Sequence, residues 1–168
     1  MDIIRLAKIV MVAALAAFAF MVTYDNIVDY GSNYDFARHV LSMDTTFPGN
    51  ALMDRAITDP RLWKAAYAAI IAAEGLTGLL LGIGALTLLM RLRATAVAFN
   101  RAKVWSVAGL TAGFCLWFFG FQVVAGEYLA MWQSRSWNGQ EAAFRFTMVI
   151  LGVLIFVSLP DGENRRSK

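Results

Sequence analysis

The sequence has too few cysteine and histidine residues for the usual metal and redox sites. Cys115 is its one cysteine, which excludes an internal disulfide and a thiol–disulfide relay. His39 is its one histidine, which excludes a haem held between two histidines and argues against a zinc site. We therefore expect no metal and no cofactor, with a bound lipid or quinone left open.

Common catalytic motifs are missing as well. The chain contains neither a G-x-x-x-x-G-K-[ST] phosphate loop nor a G-x-S-x-G hydrolase elbow, so we assign no catalytic residue. Charged residues make up 16% of the chain, and the formal net charge is +3. Because the basic residues lie at the ends of apolar segments, we expect membrane lipids as partners and no nucleic acid.

Long apolar segments are what the sequence has in excess. Hydrophobic residues make up 59% of the chain, and four segments are long enough for a hydrocarbon core of about 30 Å. The sequence predicts an all-α, polytopic membrane protein, a four-transmembrane-helix bundle with a structured outer loop. We expect a single membrane domain, 1–168, with helices at about 3–24, 60–90, 104–128 and 139–159 and an outer loop at 25–59.

The first apolar segment also has a feature of a cleaved signal peptide. Ala17-Phe18-Ala19 fits an A-x-A cleavage site. The apolar run continues past this site to Val22, which favours a retained membrane anchor.

Lysine and arginine residues predict the orientation of the four helices. Nine of the 15 basic residues fall on the side that carries both termini, and the connecting segment Arg91–Lys103 has four basic residues and no acid. Loops rich in basic residues stay in the cytoplasm. Both termini are therefore predicted to be cytoplasmic, and loops 25–63 and 126–141 to face outward.

The long outer loop has sequence signals of its own structure. Asn33 is a candidate cap for a short helix, and a second helical turn is predicted at Leu52–Ile57. Between them Phe47-Pro48-Gly49-Asn50 has proline and glycine at the central positions of a tight turn. Aromatic residues of this side suit recognition of a partner, and the candidate recognition residues are Phe47, Pro48, Gly49, Trp132 and Trp137.

Two helix starts on the same side are also readable. Asp59 followed by Pro60 fits a capped start of the second transmembrane helix. Asn138 followed by Glu141 resembles a capping box for the fourth.

Glu74 is the one carboxylate inside the second apolar segment. A charge at this depth costs several kcal/mol unless it has a partner, so it should face protein or water. Gln122 and Arg145 are predicted in the same leaflet, and the three residues form a candidate intramembrane polar cluster. The cluster fits ligand binding, proton transfer or contact with a quinone; alternatively it is a structural hydrogen-bond network in which Arg145 pairs with Glu141.

Glycine spacing predicts close helix packing. Gly78 and Gly82 lie four residues apart in the second helix, and Gly109 and Gly113 do so in the third. We expect these two helices to pack on each other within the monomer; docking of a partner's helix is the alternative.

Three segments carry a family resemblance. YGSNYDFARHVLSMDTTFPGNALMDRAI at 30–57, AFNRAK at 98–103 and MWQSRSWNGQEAAFR at 131–145 resemble the bacterial DUF2165 family of predicted small integral membrane proteins. The resemblance implies a bacterial inner-membrane location, and it transfers no catalytic residue or cofactor to this chain.

Three functions are compatible with these features. The first is a non-catalytic accessory or scaffold subunit of a larger inner-membrane complex, such as a respiratory complex, with other membrane proteins as partners. The second is a small-molecule or proton-coupled transport or binding protein centred on Glu74. The third is an enzyme acting on lipid or quinone at the outer interface, for which no catalytic spacing is present.

Overall fold

Four long helices form the bundle in the computed structural model, which describes residues 3–162. Within this part of the chain, 79% of the residues are helical, and there is no strand. The membrane-length helices are α1 (Ile3–Val28), α3 (Pro60–Met90), α5 (Val104–Phe114, continued as a π-helix over Cys115–Tyr128) and α6 (Gln140–Ser158). Two short helices, α2 (Tyr30–Ser42) and α4 (Ala96–Arg101), lie in the connections. The predicted all-α membrane fold is confirmed.

The helix starts follow the local sequence. Pro60 is the first residue of α3, and the Asp59 side chain accepts a hydrogen bond from the Arg61 amide at 2.8 Å, as predicted. The capping box at α6 does not form, because the Asn138 side chain accepts from Gln140 and Glu141 pairs with Arg145 instead. Similarly α2 begins at Tyr30, so Asn33 lies inside the helix rather than at its cap.

The cap, residues 29–59 and 129–139, covers one end of the bundle and has its own small core of Val40, Met43, Leu129, Ala130 and Met131. Its two parts are joined by a hydrogen bond between the Thr45 and Ser134 hydroxyls, 2.8 Å apart. The predicted turn is present: the Asn50 amide donates to the Phe47 carbonyl, and Gly49 has a φ of +75°. The second helical turn is a single 3₁₀ turn, Met53–Arg55.

The candidate recognition residues divide into two groups. Phe47 and Trp132 are exposed and meet edge to face, 5.8 Å between ring centroids, beside the Pro48-Gly49 turn. Trp137 is half-buried and stacks on His39, whose Nδ1 lies 2.8 Å from Asp44. Trp137 and His39 thus stabilise the cap from inside, because flat ring contacts there exclude water.

The glycines of α5 pack against α3 as predicted, but Gly78 and Gly82 of α3 do not pack against α5. A Cβ on Gly109 would lie 2.8 Å from Leu81 of α3, and one on Gly113 would lie 3.2 Å from Thr77, so α5 packs on α3 as expected. Gly78 instead faces Phe20 of α1, and Gly82 faces the same ring at 3.7 Å. A single glycine stripe of α3 cannot face two neighbours, since α1 and α5 lie on different sides of it.

A largely buried group, the terminal cluster, lies at the end of the bundle opposite the cap and consists of Arg5, Lys8, Asn100, Lys103 and Asp161, of which Asn100 is partly exposed. Asp161 Oδ2 lies 2.7 Å from Lys8 Nζ and 2.5 Å from Lys103 Nζ. Arg5 donates to the carbonyls of Leu92, Ala94 and Gly162. These interactions join α1, the α3–α5 connection and the segment after α6.

The terminal cluster changes the interpretation of the basic residues. Basic residues at the ends of apolar segments are expected at the surface, but Arg5, Lys8 and Lys103 are each at least 94% buried. Arg91, Arg93 and Arg101 remain exposed. The sequence predicts a short, charged and disordered C-terminal tail, and its residues 163–168 lie outside the described part of the chain.

Candidate functional site

Glu74 lines a cavity of about 230 Å³ beneath the cap. Its side chain is almost fully buried, with the residue 3% exposed. Tyr67 stands two turns earlier on the same face of α3 and lines the same cavity, since residues seven apart share a helix face. The sequence therefore directs one acid and one phenol into the same space.

Asn26 is the hydrogen-bond partner of Glu74. Its side-chain Nδ2 donates to Glu74 Oε2 at 2.7 Å, and its backbone carbonyl accepts from the Tyr67 hydroxyl at 2.9 Å. Sequence analysis missed Asn26 because it ended the first helix at Tyr24, whereas α1 continues to Val28. The extra helical turn carries Asn26 to the level of Glu74.

The predicted polar cluster does not form. The Gln122 side chain donates to the Gln140 carbonyl at 2.6 Å. Arg145 is exposed and lies 3.3 Å from Glu141, one helical turn away, which was the structural alternative. Each residue has a nearer partner than Glu74, so Glu74, Gln122 and Arg145 are not one site.

Four further aromatic rings contribute to the wall of the Glu74 cavity. Phe36, Trp117, Phe121 and Phe146 approach from α2, the π-helix and α6. Asn33 adds a second amide from α2. Aromatic faces attract cations, and the attraction is stronger where water is excluded.

Glu74 is the sole formally charged side chain among the residues that line this cavity. Within residues 3–162 it has no ion pair with a lysine, arginine or histidine, unlike Asp161 in the terminal cluster. A buried carboxylate without a cationic partner is costly. The cavity is therefore suited to a guest that brings a positive charge or donates a hydrogen bond.

A second cavity, the lateral cavity, adjoins the first and is almost entirely apolar. Its volume is about 360 Å³, and it shares Phe36, Ala37, Ile70 and Phe121 with the Glu74 cavity. Phe119 also lines it and is 59% exposed, so the lateral cavity reaches the outer surface of the bundle. That surface lies within the apolar spans Pro60–Met90 and Ala96–Tyr128.

Residues of the π-helix line both cavities. Over Cys115–Tyr128 the backbone departs from α-helical pairing, an arrangement that is rare at such length and occurs often at functional sites. Residues four apart share a face here, as they also do in an α-helix: Trp117 and Phe121 line the Glu74 cavity, and Leu116, Gly120 and Val124 line the lateral cavity. Sequence analysis predicted a plain helix here, because no residue pattern marks π pairing.

Metal chemistry finds no support among the described residues. Within residues 3–162 no group of three histidine, cysteine, aspartate or glutamate side chains is close enough to hold an ion.

Comparison with known proteins agrees with this architecture. The family model of DUF2165, described as a predicted small integral membrane protein, matches residues 4–160. The chain belongs to the DUF2165 family. No match is found among curated proteins or solved structures. As a DUF2165 protein the chain is an integral membrane protein in contact with lipid.

Proposed function

We propose that this DUF2165 protein binds a small organic cation, of the amine or ammonium class, in the cavity around Glu74. The observation that carries the proposal is a buried carboxylate without an ion pair, held by Asn26 and surrounded by aromatic rings. An amine supplies the missing charge to Glu74 and places its carbon-bound hydrogens against the rings. The function belongs to the second class considered above, binding or transport centred on Glu74.

Replacing Glu74 with glutamine tests the proposal. The glutamine carbonyl still accepts from Asn26, so Glu74→Gln keeps the local hydrogen bond and removes the charge. Losing one member of a buried charge pair costs about 2–5 kcal/mol, which corresponds to at least about thirtyfold weaker binding. The measurement is calorimetric titration of butylamine into the purified protein in mild detergent.

Glu127→Gln is the matched control, because Glu127 is an exposed carboxylate outside the cavity. It should bind butylamine like the wild type. The melting temperature of Glu74→Gln should equal or exceed that of the wild type, since an unpaired buried charge is removed. Equal butylamine affinity in wild type and Glu74→Gln contradicts the proposal.

We infer that the cap faces outward and that both termini are cytoplasmic in a bacterial inner membrane. The support is the exposed basic group Arg91, Arg93 and Arg101 at the opposite end. With Cys115 replaced by alanine, Asp54→Cys should react with a membrane-impermeant maleimide on intact cells. Arg93→Cys should react after permeabilisation alone, and the reverse pattern would invert the topology.

An accessory or scaffold role in a larger complex, such as a respiratory complex, stays a prediction. Its support is the pair of exposed aromatic residues of the cap, Phe47 and Trp132. Such residues suit the membrane–water interface equally well, so they favour neither a protein partner nor lipid.

A further inference from the structure

We propose that the ligand is a long-chain amphiphile, with an ammonium head at Glu74 and a hydrocarbon chain in the lateral cavity. This inference rests on the proposed function, because the head occupies the Glu74 cavity. It adds the second half of the ligand and the route by which it enters.

The two cavities match the two halves of such a molecule. The Glu74 cavity carries the acid, two amides and the Tyr67 phenol, whereas the lateral cavity is lined almost wholly by hydrocarbon and aromatic side chains. Phe36, Ala37, Ile70 and Phe121 belong to both linings, so the two cavities adjoin, and a ligand that occupies both must pass between these side chains. The lateral cavity alone falls within the roughly 300–1,000 Å³ typical of ligand pockets.

The position of the lateral cavity indicates entry from the lipid. It reaches the bundle surface at Phe119 between α3 and the π-helix, inside the membrane-spanning part of both helices. A chain can therefore slide in sideways from the bilayer while its head remains near the cap. An apolar opening of this kind favours a ligand with a hydrocarbon chain over a small water-soluble amine.

The charge of the head is restricted by the same lining. Among the residues lining the Glu74 cavity no lysine or arginine is present to pair with a phosphate. A head that carries a phosphate beside its amine would place a second anion against Glu74 at low dielectric, where like charges repel strongly. The geometry thus favours a simple ammonium head over a phospholipid head.

Gly120 offers a way to fill the lateral cavity without disturbing the fold. It lines that cavity but not the Glu74 cavity, and a Cβ there would meet nothing closer than the Cys115 carbonyl at 4.0 Å. Gly120→Leu should therefore fold and block the chain. Gly152→Leu is the matched control, because a Cβ at Gly152 on α6 meets nothing within 4 Å.

The experiment compares dodecylamine with butylamine on wild type, Gly120→Leu, Gly152→Leu and Glu74→Gln, by native mass spectrometry and melting temperature in detergent. Leucine at position 120 would fill the space that the hydrocarbon chain needs, so Gly120→Leu should bind dodecylamine at least about fivefold more weakly, the equivalent of about 1 kcal/mol. Its affinity for butylamine should be unchanged. Gly152→Leu should match the wild type with both amines, and Glu74→Gln should lose both.

Each other outcome overturns a stated part. If Gly120→Leu leaves dodecylamine binding intact while Glu74→Gln abolishes it, the chain site is wrong and the amine site stands. If Glu74→Gln affects neither amine, the proposed function fails together with this inference. Preferential binding of lysophosphatidylethanolamine or decylubiquinone over dodecylamine would overturn the ammonium head.

Discussion

Replacing Asp161 with asparagine should lower the free energy of unfolding by about 3–5 kcal/mol. Asp161 is the carboxylate that Lys8 and Lys103 share, and its side chain is 3% exposed. Without it, two buried ammonium groups face each other with a neutral amide between them. Removing one partner of a buried ion pair has a cost of this size because the remaining charge is not solvated. Unfolding of the detergent-solubilised protein by SDS measures the change.

Asp35→Asn is the matched control for the Asp161 variant. Asp35 forms an exposed pair with Arg38 at 3.3 Å, and such surface pairs contribute about 0–1 kcal/mol. A second test adds Lys103→Met to Asp161→Asn, which removes one of the two uncompensated charges and should recover part of the loss. If Asp161→Asn is no more destabilising than Asp35→Asn, the terminal cluster does not hold the helix ends together.

The pH dependence of the Asp161 effect follows from the same contacts. Burial raises the pKa of the Asp161 carboxyl, but hydrogen bonds and charges from Lys103 and Lys8 outweigh this and hold the pKa below its ordinary value of 3.8. A carboxyl with a lowered folded-state pKa contributes its full stability above 3.8 and loses it as the pH falls through the folded value. The difference between wild type and Asp161→Asn should thus be fully present at about pH 5 and shrink as the pH falls through the folded-state pKa.

The terminal cluster could not be predicted from the sequence, although the bundle that carries it could. The four spans and the Asp59-Pro60 helix start were predictable, because apolar length and capping chemistry are local properties. The burial of Lys8 and Lys103 was not, since positive charges flanking a span normally stay in water. Both lysines pair with Asp161, which lies far from either in the sequence, and a single sequence carries no sign of that pairing.

The candidate site was predictable in one residue and not in its surroundings. Glu74 was predictable because a carboxylate inside an apolar span is energetically costly and therefore marks a candidate site. Its partner Asn26 lies on the last turn of α1, where the polar residues Tyr24-Asp25-Asn26 are typical of a loop, so the sequence predicts that the helix ends before it. Gln122 and Arg145 were placed at the right level of the membrane, but depth alone does not decide which way a side chain points around its helix.

The spacing motif in α3 includes Gly82, but the closest approach to a neighbouring helix is at Gly84. Gly84→Ala should destabilise the protein by about 1–3 kcal/mol through overpacking. A Cβ on Gly84 would lie 2.7 Å from the Ser106 amide nitrogen and 2.8 Å from its Cα, and backbone atoms cannot rotate away. The gain in helix propensity from glycine to alanine, about 1 kcal/mol, offsets part of the cost. SDS unfolding measures the net change.

Gly82→Ala is the control on the same helix, because Gly82 belongs to the glycine spacing motif of α3. A Cβ there would touch the Phe20 ring at 3.7 Å, an ordinary contact, so the substitution should be neutral or stabilising. Adding Ser106→Gly to Gly84→Ala removes the hydroxyl at 2.5 Å but leaves the backbone contact, and stability should stay below the wild type. If Gly84→Ala and Gly82→Ala change the stability equally, the close approach of Ser106 on α5 to Gly84 is not what makes position 84 sensitive to a side chain.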